Sequence, residues 1–344
     1  MLYTARGVSG SKRIASLDGL RAVSILAVTA SHMSHRLVTF GGHGVDVFFV
    51  ISGYLITHLL LLERERSGTI SLFKFYLRRA QRIVPAFALF LCVAMTLFFL
   101  GVVTLDVHVL PMVATYTYNL FPSLDLRVFG PVWSLCVEEH FYFLWPSAVL
   151  LICPRRLVGV LAGVFVIAAI IRFWLEISHS SLDPAFFTLT RLDTIAAGCL
   201  LAIFLHSSKA EALRGFFRRP WLVPVCFSLF LLSAAVLARS GKYQIFIEQA
   251  AEALLIAVVV GAMTEQPSSW LGRFLNSRVM VQIGLLSYSL YLGQFIIVDL
   301  HSINMIVRCV LLAGYALFSY YVVESPVLRM RRTATAISRQ KAHT

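Results

Sequence analysis

Charge is scarce in this chain. Asp, Glu, Lys and Arg together make up 14% of its 344 residues, against about 25% in an average soluble domain, so an ordinary water-facing surface is excluded. Cysteine is sparse and dispersed: Cys92, Cys136, Cys153, Cys199, Cys226 and Cys309 form no C-x-x-C. That spacing excludes a thiol redox pair and a zinc ribbon, and the six read as small packed hydrophobes. Also missing are G-x-S-x-G, H-E-x-x-H and a Walker loop, so a serine elbow, a zinc hydrolase and a P-loop enzyme are excluded. No metal is expected. There is no internal repeat and no low-complexity block, and the longest polar stretch is too short for a separate soluble domain.

What the chain has instead is hydrophobic length. Apolar residues make up 58% and the mean hydropathy is +0.80. Runs of about twenty apolar residues, each sufficient to cross roughly 30 Å of hydrocarbon, recur near 17–36, 43–62, 82–101, 133–152, 157–175, 188–206, 221–238, 244–263, 281–300 and 304–323. With the N-terminus inside, 22 of the 30 Lys and Arg residues fall in inner segments, 4 in outer ones and 4 within spans. Cytoplasmic loops carry such an excess. The fold class predicted is therefore all-α, a polytopic membrane protein of about ten transmembrane helices with both termini cytoplasmic. Residues 1–13 form an N-terminal tail, 14–330 the membrane domain and 331–344 a basic tail. Residues 104–121 read as a partly buried outer segment rather than an eleventh span. The start "MLYTARGVSGSKR" lacks a cleavable apolar leader, so the N-terminus is expected to be retained. The net charge of +13 reports topology. The basic residues are spread over loops, so no nucleic-acid partner is expected.

An ionisable group inside a bilayer is costly and marks a functional candidate. Arg21 and His32, in "RAVSILAVTASH", are eleven residues apart. On a helix that is about 20° from three full turns and about 16 Å of rise, so the two share a face with Asp18, Ser24, Val28 and His35. Span two, "GGHGVDVFFVISGYLIT", carries Asp46, which needs a partner such as an Arg or His of span one; its glycines permit close helix approach. Arg78, Arg79 and Arg82, in "RRAQRIVP", cluster at the inner mouth of span three, and guanidinium forks suit phosphates. In "VWSLCVEEHFYFLWP", Glu138 and Glu139 are adjacent, so at most one faces the seam of span one. "RLDTIAAG" places Arg191 and Asp193 within the membrane, Glu248 and Glu252 lie one turn apart in span eight, and "SYSLYL" adds hydroxyls followed by Gln294. Glu324 closes span ten.

Taken in order, "LDGLRAVSILAVTASH", "GVDVFFVISGYLI", "RRAQRIVP", "WSLCVEEHFYFLWP", "RLDTIAAG", "SYSLYL" and "YYVVESP" resemble the integral-membrane acyltransferase-3 family over about residues 14–330. That family includes bacterial enzymes that O-acylate surface polysaccharides and related acceptors. The resemblance implies transfer of an acyl group, usually acetyl, from acyl-CoA to a hydroxyl, in a bacterial inner membrane. The family's Arg-x10-His corresponds to Arg21 and His32, its basic cluster to Arg78, Arg79 and Arg82, and its acid to Glu138. Where the family often ends the "SYSLYL" motif with a His, this chain has Gln294. The H-x4-D signature of soluble acyltransferases is absent. Some relatives carry a fused extracytoplasmic domain, and none is expected here.

On this reading acyl-CoA, most simply acetyl-CoA, docks its phosphates at the Arg cluster. His32 is the general base toward a carbohydrate or lipid-linked sugar hydroxyl. Glu138 or Asp46 orients it, and Arg21 faces the donor. The rival reading is a transporter of a small polar solute, whose path would also be lined by buried charges. A non-catalytic scaffold, for which Arg21 and His32 would be dispensable, is a third.

Overall fold

The computed structural model describes residues 14–33, 38–121, 127–207, 210–235, 247–298, 300 and 303–330. The two tails assigned above and His35 lie outside the described residues. Thirteen helices succeed one another and no strand occurs among the described residues. They are α1 (Ala15–Met33), α2 (Val38–Ser67), α3 (Leu72–Phe99), the short α4 (Leu110–Ala114), α5 (Val132–Leu151), α6 (Pro154–Ile177), α7 (Thr188–Leu205), α8 (Ala210–Phe217), α9 (Leu222–Ala235), α10 (Gln249–Glu265), α11 (Trp270–Leu275), α12 (Arg278–Val298) and α13 (Met305–Phe318). A π-helical turn, Ser319–Glu324, continues α13.

Local chemistry sets several of these ends. The Ser71 hydroxyl accepts from the Lys74 amide at the start of α3, and Ser269 accepts from Gly272 before α11. Asn304 accepts from Ile306 before α13. Each satisfies an N–H that the helix itself leaves open. α6 begins on Pro154, whose missing N–H costs nothing there.

Among the described residues, six helices are long and apolar enough to cross a membrane: α2, α3, α6, α7, α12 and the run 305–330. A seventh is added if α8 and α9, bent by 75°, count as one span. The sequence reading placed a span at ten sites, and a helix stands at each. α9 and α10 have only 14 and 17 residues. α1 and α5 are long enough, but Asp18 and Arg21 in one and Glu138, Glu139 and His140 in the other lower their hydropathy. The residues that make them candidates for function are the ones that weaken their signature as spans.

One boundary differs from the reading. α3 starts at Leu72, not near 82, because Ser71 caps it and the basic cluster sits inside the helix. Its Arg78, Arg79 and Arg82 therefore stand two to three turns in rather than at its first residue. Residues 104–121 form short helical turns rather than a span, with Val113 and Tyr118 buried against α3 and α5, so the segment is partly buried as expected.

Contacts fix the directions of the helices. α2 and α7 run the same way, since Asp46 meets Arg191 and His58 meets His206. α5 joins them, with Ser52 beside Tyr142 and Thr57 bonded to Trp145 at 2.8 Å. α1 and α12 run together, with Gly284 against Asp18 and Thr29 bonded to Gln294. α1 and α2 are antiparallel, with Gly44 against Val28. All six cysteines are free. Cys136, Cys199 and Cys226 are packed inside, but Cys92, Cys153 and Cys309 are exposed, so burial is not what unites them.

The charges inside the bundle are paired across helices. Arg172 of α6 meets Asp193 of α7 at 2.8 Å and donates to the Thr190 carbonyl at 2.6 Å. Asp193 is fully buried. Replacing it with Asn leaves a buried guanidinium uncompensated, a loss of about 3–5 kcal/mol. Thermal unfolding of purified Asp193→Asn should show that destabilisation, and Arg172→Leu/Asp193→Leu should recover much of it.

Candidate active site

One cavity of about 90 Å³ collects the polar residues of five helices. α1 contributes Arg21, α2 contributes Ser52, and α3 contributes Arg79 and Arg82. α5 adds Ser134, Glu138 and Tyr142, and α12 adds Ser287, Tyr288 and Tyr291. The spacing that joins Glu138 to Tyr142 is one helical turn, so both face the same way. Glu138 lies within reach of the Ser52 and Tyr142 hydroxyls, with Arg21 and Arg79 as its neighbouring cations. Ser52 and Tyr142 are hydrogen-bonded to each other. Arg79 stacks its guanidinium 5.1 Å from the Tyr142 ring centroid. Ser134 and Tyr291 bond at 2.7 Å, and the Tyr288 hydroxyl donates to the Ile83 carbonyl. The cavity is thus a ring of guanidinium and hydroxyl donors around one carboxylate. Such a ring suits a carbonyl that gains negative charge.

Four of the seven residues singled out in the sequence meet here: Arg21, Arg79, Arg82 and Glu138. Arg78 does not. It turns to Glu63 of α2 at 2.9 Å, away from the cavity. Asp46 does not either, and its partner differs from the one expected. It pairs with Arg191 of α7, not with span one, and Gln249 of α10 donates to it at 3.3 Å. Arg191 lies 5.8 Å from the Phe49 ring and 5.7 Å from that of Trp133. Phe49 lines the cavity, so the Asp46–Arg191 pair braces its wall from behind. Glu252 in turn pairs with His43 at 3.1 Å.

His32 stands apart from the cavity. It is exposed at the far end of α1, with its ring 4.5 Å from that of Phe295. Phe295 is 6.3 Å from Tyr291, which lines the cavity. One aromatic layer therefore separates the imidazole from the guanidinium groups. The shared face read from the sequence is real as far as Asp18, Ser24 and Val28, which are all buried, but packed apolar side chains fill it between Arg21 and His32. Neither Glu138 nor Asp46 orients the ring, because both are engaged elsewhere. The Gln294 side chain and the Val28 backbone are both within reach of its ring.

Sequence reasoning singled out none of Ser52, Tyr142 and Ser134. The signal for Tyr142 was its one-turn spacing from Glu138. Ser52 and Ser134 carried no comparable signal, since small hydroxyl residues are common where helices approach. Glu139, as its adjacency to Glu138 required, faces elsewhere. It lines a separate cavity of about 370 Å³ with Arg79, Tyr116 and His140. Glu324 accepts from Ser289 and Ser319 behind α12.

Comparison with known proteins bears on this geometry. A family model for an acyltransferase domain, acyltransferase-3, matches residues 14–303. The peptidoglycan O-acetyltransferase OatA of Listeria monocytogenes is 28% identical over 84% of this chain and 50% of its own length. A putative O-acetyltransferase of Staphylococcus aureus is 31% identical over 83% of the chain and 51% of its own. The O-acetyltransferase OatA of Staphylococcus aureus is 28% identical over 95% and 58%. The chain spans about half the length of these relatives. No solved structure matches it.

Proposed function

This chain belongs to the integral-membrane acyltransferase-3 family, and from that premise we propose that it transfers an acyl group, acetyl first of all, from acyl-CoA to a hydroxyl of a carbohydrate-type acceptor. Its place would be a bacterial inner membrane with both termini cytoplasmic, for which the excess of Lys and Arg on one side speaks. The acceptor would be a surface or lipid-linked sugar. A relative named for peptidoglycan O-acetylation supports that class.

The observation that carries the reading is the convergence of Arg21, Arg79, Arg82 and Glu138 on one small cavity. The cavity is small, and an acetyl group fits it. The residues present also suit the donor. Arg79 and Arg82, with Arg78 on the inner side, would hold its phosphates. Arg21 and the Tyr142 hydroxyl would polarise the thioester carbonyl, and Glu138 would balance the guanidinium charges. His32 would take the proton of the acceptor hydroxyl as its oxygen attacks the carbonyl carbon. The carbon–sulfur bond then breaks, and the leaving sulfur receives that proton. Tyr291 and Phe295 stand between the two stations, so they must part for donor and acceptor to meet.

Donor binding tests this scheme directly. Calorimetry of the purified protein with acetyl-CoA should give saturable binding. Arg79→Ala and Arg82→Ala should each weaken it about tenfold or more, as loss of a charge-assisted hydrogen bond implies. The cost should be smaller with 3′-dephospho-CoA if the lost contact is to that phosphate. Equal affinities for wild type and both variants would remove the donor assignment.

A further inference from the structure

The opening of span two, "GGHGVD", and the acids Glu248 and Glu252 of span eight have no task in the transfer reaction. His43 and Asp46 are three residues apart, so they share a face near the start of α2. Glu252, in the first turn of α10, is folded onto that face. A ring nitrogen of His43 and one oxygen each of Asp46 and Glu252 lie within 4.8 Å of one another. We propose that these three side chains form a binding site for a first-row divalent cation, zinc first of all. None of them lines the cavity described above, and the site does not depend on the reaction proposed there.

The placement of the polar atoms carries the assignment. His43 Nδ1 stands 3.1 Å from a Glu252 oxygen, yet this nitrogen is buried without a hydrogen-bond partner. The other Glu252 oxygen, Oε1, is also buried and unpartnered, in a residue only 3% exposed. Atoms set side by side in this way, rather than aligned as donor and acceptor, suit a shared ion. With metal bonds of roughly 2.0–2.2 Å, neighbouring ligand atoms stand about 3.0–3.5 Å apart. Asp46 is buried and receives Arg191 and Gln249 on Oδ1, so Oδ2 is available to the ion. Phe230 of α9 packs edge-on against the His43 ring at 4.8 Å and fixes its plane.

Charge points the same way. Asp46, Glu252 and Glu248, the last of these one turn before Glu252 on α10, bring three formal negative charges. Arg191 and a charged His43 supply two positive ones. A divalent cation beside a neutral imidazole, together with Arg191, balances all three, and unbalanced charge within a bilayer is costly. One imidazole nitrogen with two carboxylate oxygens suits zinc, manganese or iron(II) better than magnesium or calcium, which prefer oxygen alone. Three protein ligands leave a coordination position open. No contiguous motif announces the site, because its ligands come from two helices that only folding brings together. The ion clamps α2 to α10 beside the Asp46–Arg191 pair that backs Phe49.

Zinc binding tests the site without any assay of acyl transfer. Full-length protein, purified without a polyhistidine tag and stripped with EDTA, should take up one equivalent of zinc in titration calorimetry. It should also melt several degrees higher with zinc than without, since an ion held only by the folded state stabilises that state. Glu252→Gln, nearly isosteric, and His43→Asn should each weaken binding at least about tenfold and lose the melting shift. Glu211→Gln, at an exposed acid of α8, is the control and should change neither. The exposed thiols of Cys92, Cys153 and Cys309 are the competing ligands, and cobalt(II) tells them apart from this site. A bound-cobalt spectrum without thiolate charge transfer supports the assignment even if neither variant folds, whereas a thiolate band places the ion on cysteine and overturns it. Absence of saturable zinc binding by the wild type, or equal binding by Glu252→Gln and His43→Asn, would overturn it as well.

Discussion

His32→Ala should reduce acyl transfer by about 10² to 10⁴, the usual worth of a positioned general base, while the protein inserts normally and binds acetyl-CoA as tightly as wild type. The second half of that expectation comes from the structure, because His32 is no part of the cavity that collects the guanidinium groups. Glu138→Gln should behave differently. Its carboxylate sits between Arg21 and Arg79 and beside two hydroxyls, so removing the charge should weaken donor binding and turnover together. Transfer by detergent-purified protein from radiolabelled acetyl-CoA, with donor affinity measured in parallel, separates the two patterns. A well-expressed His32→Ala variant with normal transfer would take the base role away from His32. In that case Glu138, the carboxylate already in the cavity, becomes the group to test. Mass spectrometry of surface glycans and lipid-linked sugars, with active and His32→Ala protein, would identify the acceptor through the missing acetyl group.

The second large effect concerns folding. α2 and α7 meet backbone to backbone where Gly53 and Gly198 face them. A Cβ on Gly198 would lie 2.0 Å from the Val50 carbonyl oxygen, and one on Gly53 would lie 2.1 Å from that of Ile195. These are rigid backbone atoms in buried helices, so nothing nearby can give way. Gly198→Val should therefore force the helices apart, separate Asp46 from Arg191 and loosen the wall behind Phe49. Overpacking of this kind costs at least about 1–3 kcal/mol, and loss of the buried ion pair adds to it. The expected result is a protein that fails to accumulate, or unfolds well below wild type in a thermal melt. Gly159→Val, at a position with open space around it, is the control and should accumulate normally. Equal melting of Gly198→Val and wild type would mean the two helices can separate at little cost.

Much of the architecture could be read without coordinates. Apolar length and the placement of Arg and Lys located a helix at every expected span, because hydrocarbon admits only segments that satisfy their own backbone. The candidates Arg21, Arg79, Arg82 and Glu138 were legible for the same reason: a charge kept in an apolar run calls for an explanation. Helical periodicity also determined that Glu138 and Glu139 face apart. Pairing across helices was not legible. Asp46 needed a cation, but its own sequence neighbourhood could not choose Arg191, 145 positions away, over the closer Arg21. That choice follows from α2 lying on α7 through two glycines. Tertiary packing likewise set His32 one aromatic layer outside the cavity. Eleven residues of helix fix a shared face and a rise, but the side chains that fill the space between, Tyr291 and Phe295, come from α12. The sequence by itself determined which groups had to be buried and roughly how deep. Only the packed bundle decided which of them meet, because contact depends on the partner helix as much as on the helix that carries the residue.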